Sequence, residues 1–439
     1  MMILNNLLQF GLFLYTPLIL NTNIEQEVRN MVRKYTKEEQ KFIEYFRQID
    51  TEAITEILSH YRSTGPEGYS ASLILCRILK IKERISSDRE LSKKLARIPI
   101  YREAVGISSS EIPAHNTFTT LRQRLGPEGF GQLHRHFIMA AYEHGLLIPP
   151  IEKLPAIVKN KIILIADSTF LLTAASTKGE KDEAGEWIFS DESIAFGRPH
   201  HKHKYPVGHR AHTLMSVNGI PLVSMLAPAN EHDNLHIISG LRIMCDRYPE
   251  FPFGAIILDT GYDDEKLHKN IYLGFDLIPV IIRKSNIKYG KGFSDQGAPL
   301  CPLVYPTKRK GTEYKHQRTK YACYHVCKKD PHKSIFPCPY EKSNSRFGWM
   351  THTHFKDSYR KFGPAVPTSR VYRKLKPLRT GIERYYGLAK ENRYRMEKSN
   401  TYTGHDNVLI HVIEHDIVLT LDIIFNHFQN GKWSDVLNV

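Results

Sequence analysis

The spacing of hydrophobic positions changes once along this chain, near Pro149 and Pro150. Between about residues 24 and 150, apolar residues recur every three or four positions, which is the pattern of amphipathic helices joined by short loops. In "SDRELSKKLARI" (87–98), for example, a Ser/Asp start precedes Leu91 and Leu95, which are four residues apart. We therefore predict a helical domain over residues 24–150.

After residue 150 the apolar residues gather into short continuous runs, which are typical of buried strands. These runs lie in "KIILIADST" (161–169), "FGAIILDTGYDDE" (253–265) and "FDLIPVIIR" (275–283). In the first two segments the apolar run ends at Asp167 and at Asp259, respectively. Between the first two runs, "HRAHTLMSV" and "IPLVSMLAPA" flank Asn218–Gly219, a hairpin signal. The segment "HDNLHIISGLRIMCDRY" (232–248) follows as an amphipathic helix. This order predicts an α/β fold with a mixed sheet and flanking helices.

Residues 284–375 show no clear period and are rich in Lys, His, Tyr, Cys and Pro. A stretch of this length is too long for a loop in a compact domain, so we expect an inserted subdomain. The predicted divisions are therefore 24–150, a first part of the α/β core at 151–283, the insertion at 284–375, and the remainder of the core at 376–430.

Charge is distributed unevenly over the 439 residues, whose net charge is +15. Residues 283–398 contain 28 Lys and Arg against 8 Asp and Glu, whereas the rest of the chain contains 33 against 38. Such a polycation favours a phosphate backbone as partner. An anionic membrane surface is the competing partner, but this stretch has no long amphipathic apolar face to insert.

The chain starts with an apolar segment, "MMILNNLLQFGLFLYTPLIL". It has no basic residue before the apolar run and no small-residue cleavage site, and four residues interrupt it: Asn5, Asn6, Gln9 and Pro17. A signal peptide or a membrane helix needs the opposite features, so we expect either a packing segment or a poorly ordered start. Six cysteines in this length do not indicate a disulfide scaffold, and a cytoplasmic location is expected.

A charged helix is predicted at "RTGIERYYGLAKENR" (379–393). At about 100° per residue, Arg379, Glu383 and Lys390 share one face, while Ile382, Tyr385 and Ala389 form a separate apolar stripe. Taken alone, the charged face is explained by an ion pair on a solvated helix surface.

Two of the predicted strands end in aspartates, Asp167 and Asp259. Carboxyl ends of neighbouring strands meet at the edge where open α/β sheets carry their sites, and Glu383 lies on a helix able to pack across that edge. Three carboxylates without His or Cys ligands suit Mg²⁺ or Mn²⁺. A pair of such ions is what in-line displacement at a phosphodiester requires. Each aspartate alone is equally well explained as a strand-end cap.

These motifs, in this order, resemble DDE transposases of bacterial insertion sequences, over about residues 69 to 415. The resemblance is carried by "SDRELSKKL", "YREAVGI", "IPAHNTFTTLRQRLG", "IADST", "PANEHD", "LDTGYDDE" and "RTGIERYYGLAKENR". Arg379, Glu383 and Lys390 match the family signature Tyr-x2-Arg-x3-Glu-x6-Lys. Lys376 stands where that signature has tyrosine, so the role of the tyrosine is not carried over.

The resemblance implies an RNase H-like fold in which Asp167, Asp259 and Glu383 hold two Mg²⁺ ions. It also implies cleavage and strand transfer of double-stranded DNA at terminal inverted repeats, by a homodimer associated with the nucleoid. Arg379 and Lys390, with Lys376, are then the expected contacts to DNA phosphates. The alternatives are a metal-dependent DNA nuclease of the same fold, and a domesticated DNA-binding protein without catalysis.

Four further signals leave alternatives open. Arg122 and Arg124 are expected on an exposed helix face, either as a helix-turn-helix contact to DNA or as surface residues of a plain bundle. Asp233 is expected to cap a helix rather than take part in chemistry. His200, His201 and His203 lie among basic residues and indicate a DNA-facing loop more than a metal site. The insertion holds four cysteines, either as a structural zinc site or as free thiols: Cys301, Cys323, Cys327 and Cys338.

Overall fold

The computed structural model describes residues 35–61, 70–151, 153–185, 187–197, 206–329, 338–340 and 345–430. The apolar start of the chain and the histidines at 200, 201 and 203 lie outside these ranges. The helices are α1 (Lys37–Arg47), α2 (Thr51–Ser59), α3 (Ala71–Lys82), α4 (Asp88–Arg97), α5 (Pro99–Val105), α6 (His115–Glu143), α7 (Asp233–Arg247), α8 (Glu265–Phe275), α9 (Tyr359–Phe362), α10 (Arg370–Leu375), α11 (Thr380–Tyr386) and α12 (His405–Asn430).

The N-terminal part is helical, as the period of its apolar residues predicts. Ser87 begins α4 by accepting a hydrogen bond from the Glu90 N–H, and Leu91 and Leu95 are fully buried. Within α6, Gly126 has a φ of 60° and interrupts the helix, which resumes at Pro127. A left-handed backbone is accessible to glycine at little cost, and proline suits the first turn of a helix. Gly126 therefore separates two helical halves.

A six-stranded sheet forms the centre of the molecule. Its strands are β1 (Ile162–Leu172), β4 (Ala195–Phe196), β5 (Val207–Ser216), β6 (Pro221–Pro228), β7 (Phe253–Leu258) and β8 (Ile278–Ile281). The order is β4-β5-β1-β7-β8, with β6 also paired to β5; β1, β7 and β8 are parallel, whereas β4, β5, β6 and β1 pair antiparallel. A short hairpin, β2 (Gly179–Lys181) and β3 (Trp187–Phe189), lies outside this sheet. The predicted mixed α/β sheet with flanking helices is confirmed.

Helix α12 joins the helical part to the sheet, packing on α6 and on β6 within one continuous apolar core. A buried charge cluster crosses the same interface. Arg122 Nη1 on α6 lies 2.7 Å from Glu414 Oε2 on α12, and Arg77 Nε on α3 lies 2.7 Å from Glu414 Oε1. The expected exposure of Arg122 is therefore wrong: only 2% of it is exposed, because its guanidinium neutralises a carboxylate from the far end of the chain. Arg124 is exposed as predicted.

The inserted stretch contains a three-stranded antiparallel sheet: β9 (Lys308–Glu313), β10 (Arg318–Ala322) and β11 (Met350–His354). Its return segment contacts the start of α8. Arg360 donates from Nε and Nη2 to the two oxygens of Asp263, at 3.0 and 2.8 Å, and Glu265 accepts from the Tyr359 N–H at 2.7 Å. These contacts connect the insertion to the chain just beyond Asp259. The proposed domain boundaries remain a prediction.

Candidate active site

Asp167 lies on β1 at the point where that strand leaves β7. Pairing with β7 extends from Ile162 to Ile165, whereas pairing with β5 continues through Asp167 and Leu172. The prediction that the first strand ends at Asp167 is therefore wrong, because β5 supports the strand for five more residues. The side chain of Asp167 is 20% exposed, and its Oδ1 accepts the Ser168 N–H at 2.8 Å.

Asp259 follows the last residue of β7, as the sequence pattern predicts. Its side chain caps the short helical turn Thr260–Tyr262, with Oδ1 accepting the Gly261 N–H at 2.8 Å. The other oxygen, Oδ2, is the one that faces Arg379. Because β1 and β7 are adjacent and parallel, Asp167 and Asp259 come to the same edge of the sheet.

Glu383 is carried by α11, whose apolar stripe is buried as predicted. Ile382 and Ala389 are fully buried and Tyr385 is 1% exposed, while the Glu383 side chain is 61% exposed. The predicted single helix over 379–393 is only partly correct. A 3₁₀ turn (Lys376–Arg379) precedes α11, and a π-helical segment (Gly387–Asn392) follows it.

The π-helical segment changes the surroundings of Lys390, because its rotation per residue is smaller than that of an α-helix. Lys390 Nζ lies 3.6 Å from Glu397 Oε1. Arg379 Nη1 does pair with Glu383 Oε1 at 2.7 Å, four residues away. The predicted common face thus holds for Arg379 and Glu383, whereas the helical angles do not carry through to Lys390.

One guanidinium reaches all three predicted carboxylates. Besides its bond to Glu383, Arg379 Nη2 lies 3.2 Å from Asp167 Oδ2 and 3.9 Å from Asp259 Oδ2. The Arg379 side chain is 21% exposed. The structure therefore brings together a strand residue, a strand-end residue and a helix residue around one positive charge.

Asp167 has a perturbed carboxyl group. Its pKa is raised to about 6, mainly by burial and to a smaller extent by Asp259 and Asp233, while the Ser168 N–H and Arg379 act in the opposite direction. A carboxyl group perturbed by burial and by other carboxyls, in a cleft, is typical of functional sites and favours a bound cation.

Asp233 extends the polar network beside Asp167, and its predicted role as a helix cap is wrong. It is the first residue of α7 and His232 is the cap position, without a side-chain cap. The Ser168 hydroxyl donates to Asp233 Oδ1 at 2.9 Å, and Arg210 Nη1 lies 3.3 Å from the same oxygen. The motif "PANEHD" pointed to Asp233, but no pattern in the sequence singles out Ser168 and Arg210.

A polar cavity of about 400 Å³ opens next to this network. Its lining residues include Arg210, Asn230, Glu231, Asp233, Asn234 and Lys284. Gly261, two residues after Asp259, also lines it, so the cavity adjoins the carboxylate edge.

The donor set at the carboxylate edge suits a hard divalent cation, because it consists of carboxylate oxygens and lacks sulfur and imidazole. Within the described ranges, no three His, Cys, Asp or Glu side chains are positioned to hold a metal ion in common. At this edge the guanidinium of Arg379 lies among the oxygens. Metal binding there requires Arg379 to move.

Comparison with known protein families identifies the family of this chain. The family model described as the transposase DDE domain matches residues 159–413, a span that contains Asp167, Asp259 and Glu383. This chain belongs to the transposase DDE family. The transposase domain DUF772 matches residues 30–124, and the resemblance to insertion-sequence transposases is confirmed.

Comparison with solved structures finds a piggyBac transposase synaptic complex with hairpin DNA, determined by cryo-electron microscopy. The two chains are 10% identical in sequence. The match covers 91% of this chain and 78% of the piggyBac transposase chain, with a TM-score of 0.33. No curated protein matches this chain. None of the helices in the described ranges combines the length and hydrophobicity needed to cross a bilayer.

The remaining predicted DNA contacts of the transposase differ in exposure. Lys376 is exposed on the 3₁₀ turn, with Nζ 6.0 Å from the centre of the Tyr372 ring, and Arg124 is exposed on α6. Arg122 is enclosed by its ion pair and has no surface to offer to DNA.

Proposed function

We propose that this transposase binds the terminal inverted repeats of its element, cleaves the DNA strands there, and joins the freed 3′ ends to a target duplex. The observation that supports this most strongly is the convergence of Asp167, Asp259 and Glu383 on one guanidinium. Three carboxylates from separate parts of the chain meet at the edge of the sheet, within a match to the DDE domain.

In the proposed mechanism these three carboxylates hold two Mg²⁺ ions, with Mn²⁺ as a substitute. When bound, the ions supply activation of the attacking oxygen and stabilisation of the leaving oxygen in an in-line displacement. Asp167 must be deprotonated to act as a ligand. Burial raises its pKa and so disfavours the charged carboxylate, and a bound cation would stabilise that charge again.

Arg379 has a second role in this proposal. In the structure its guanidinium neutralises the carboxylates, and with the cations in place the same group is free to grip a phosphate of the reacting strand. Planar guanidinium groups bind carboxylate and phosphate in the same bidentate manner, so this exchange keeps the geometry of the donor. Lys376 and Lys390 add positive charge on either side of Arg379 along the chain.

The proposed partner is double-stranded DNA, both the element ends and the target. Residues 283–398 carry a net charge of +20, and this stretch includes the insertion and the helix with Glu383. Phosphate neutralisation by such a surface supplies sequence-independent affinity. The proposed active form is a homodimer, which presents one site to each element end. The proposed location is the cytoplasm, in association with the nucleoid.

A direct test combines the purified transposase with labelled duplexes that carry one element end or a scrambled end. In Mg²⁺, the end duplex should be nicked at the element boundary, and its 3′ end should join a plasmid target. Asp167→Asn and Glu383→Gln should bind the end yet fail to cleave, whereas Asp246→Asn, on the exposed face of α7, should cleave normally. Equal cleavage of both duplexes without joining would favour the nuclease alternative. Binding without cleavage by the wild type would favour the domesticated DNA-binding protein.

A further inference from the structure

Four of the six cysteines lie in the inserted subdomain: Cys301, Cys323, Cys327 and Cys338. The first three are between 4% and 8% exposed and the fourth is half-buried, and all four are free thiols.

Two of these cysteines begin tight turns. The Val304 N–H donates to the Cys301 carbonyl at 2.8 Å, and the Val326 N–H donates to the Cys323 carbonyl at 3.1 Å. In the second turn the two central residues, Tyr324 and His325, have φ values of 49° and 53°. Left-handed backbone at two consecutive residues with bulky side chains is strained, and it persists only where the surroundings hold it. Cys323 and Cys327 flank this turn.

The Cys323 sulfur is enclosed by backbone from the far side of the subdomain. The Trp349 N–H donates to Cys323 Sγ at 3.2 Å. A Cβ atom on Gly348, whose φ is 61°, would lie 2.5 Å from that sulfur, so glycine is required for the approach. Amide hydrogen bonds to sulfur stabilise the negative charge of a thiolate and are part of the usual surroundings of a metal-bound cysteine.

The other cysteines converge on Cys327. Cys338 lies within hydrogen-bond reach of the Cys327 thiol, and Cys323 and Cys301 are its other sulfur neighbours. Four thiolates side by side are stable only where a cation holds them. A zinc ion with four thiolates carries a net charge of −2, which the +20 of residues 283–398 would offset.

We propose that Cys301, Cys323, Cys327 and Cys338 bind one structural Zn²⁺ ion that closes the inserted subdomain. Each sulfur loses its proton on binding, so four protons are released for each ion bound. In the described part of the chain the sulfurs are gathered without yet being positioned around a common ion, and side-chain rotation must draw them together. The ion then clamps the strained turn between Cys323 and Cys327.

The test is the zinc content of the full-length protein, purified without chelator and measured by plasma mass spectrometry. We expect about one zinc ion per chain, and a cobalt-exchanged sample should show the absorption of tetrahedral cobalt–thiolate. Cys323→Ser and Cys327→Ser should each lose at least about 80% of the zinc, whereas Cys245→Ser, a half-buried cysteine on α7, should retain it. Asp167→Asn should also retain the zinc, since the catalytic carboxylates are separate from this cluster.

The wild-type measurement decides the proposal even if a cysteine variant fails to fold. A zinc content near zero in the wild type would overturn it, as would iron–sulfur absorption in place of zinc. Disulfide bonds among these four residues, detected by alkylation and mass spectrometry, would also overturn it. Because the readout is metal content, the result is independent of whether the protein cleaves DNA.

Discussion

Arg379 Nη2 lies 3.2 Å from Asp167 Oδ2, although 212 residues separate them in the chain. This contact ties the first strand of the central sheet to the segment that carries Glu383. It also places a positively charged side chain, the Arg379 guanidinium, among the carboxylates at this edge of the sheet. We therefore expect Arg379 and divalent cations to compete for the same oxygens.

We predict that Arg379→Ala makes the stability of the protein dependent on divalent cations. Without Arg379, three carboxylates lose a positive partner, so the melting temperature should fall in EDTA and recover in Mg²⁺. Differential scanning fluorimetry measures both values. The Mg²⁺-induced rise should be larger in this variant than in the wild type or in Arg384→Ala, an exposed neighbour on α11. The same rise in all three proteins would show that Arg379 does not share its oxygens with the metal.

A second prediction concerns the buried pair between Arg122 and Glu414. Arg122→Ala should lower the free energy of unfolding by about 3 kcal/mol, near the lower end for breaking a buried pair, since Arg77 still neutralises Glu414. Arg124→Ala, two residues further along α6 and exposed, should change it by less than about 0.5 kcal/mol. Urea unfolding gives both values. Equal, small effects would place Arg122 on the surface, as the sequence alone suggested.

The same cluster predicts how stability depends on pH. Glu414 is buried, but Arg77 and Arg122 hold its pKa at about 2, below the ordinary value of 4.5. A carboxyl with a lowered pKa in the folded state stabilises the protein above its unfolded pKa, and this stabilisation is lost as the pH falls. Stability should therefore decrease from about pH 5 to about pH 2, and Glu414→Gln should show a shallower decrease. If stability falls with pH in the same way in the wild type and in Glu414→Gln, protonation of Glu414 does not cause the decrease.

A fourth prediction concerns the charge of residues 283–398. Affinity for duplex DNA should fall steeply with salt, with a log–log slope of about 0.9 for each phosphate contacted. Lys308→Ala and Lys310→Ala, on exposed positions of β9, should each reduce the slope by about 0.9 where the lysine contacts a phosphate. Lys41→Ala, exposed on α1, should leave the slope unchanged. Fluorescence anisotropy over a salt series measures the slopes, and a flat dependence would mean that this charge faces away from DNA.

Much of the architecture follows from local pattern. The buried strand at Phe253–Leu258 and the buried stripe of Ile382 and Tyr385 were predictable from the sequence, because each depends on neighbours a few residues away. Burial of Arg122 was not readable, because its partner Glu414 is 292 residues away. Long-range pairing also explains the length of β1, which β5 extends beyond Asp167.

In the candidate site, too, some features follow from local sequence pattern and others depend on long-range packing. The meeting of Asp167, Asp259 and Glu383 at one edge was predictable from the ends of the apolar runs and from the spacing of the family signature. The π-helical segment that redirects Lys390 depends on how Gly387–Asn392 packs, and the bond from Ser168 to Asp233 depends on the position of α7 beside β1. Neither leaves a periodic trace in the sequence.

A change of metal preference shows whether Asp167, Asp259 and Glu383 hold the catalytic metal ions. In Asp259→Cys a sulfur replaces the oxygen ligand at the end of β7, and sulfur binds Mn²⁺ better than Mg²⁺. We predict that this variant fails to cleave element-end DNA in Mg²⁺ and regains at least about tenfold activity in Mn²⁺, whereas Asp246→Cys cleaves equally in both. Full activity of Asp259→Cys in Mg²⁺ would contradict the claim that Asp259 is a metal ligand.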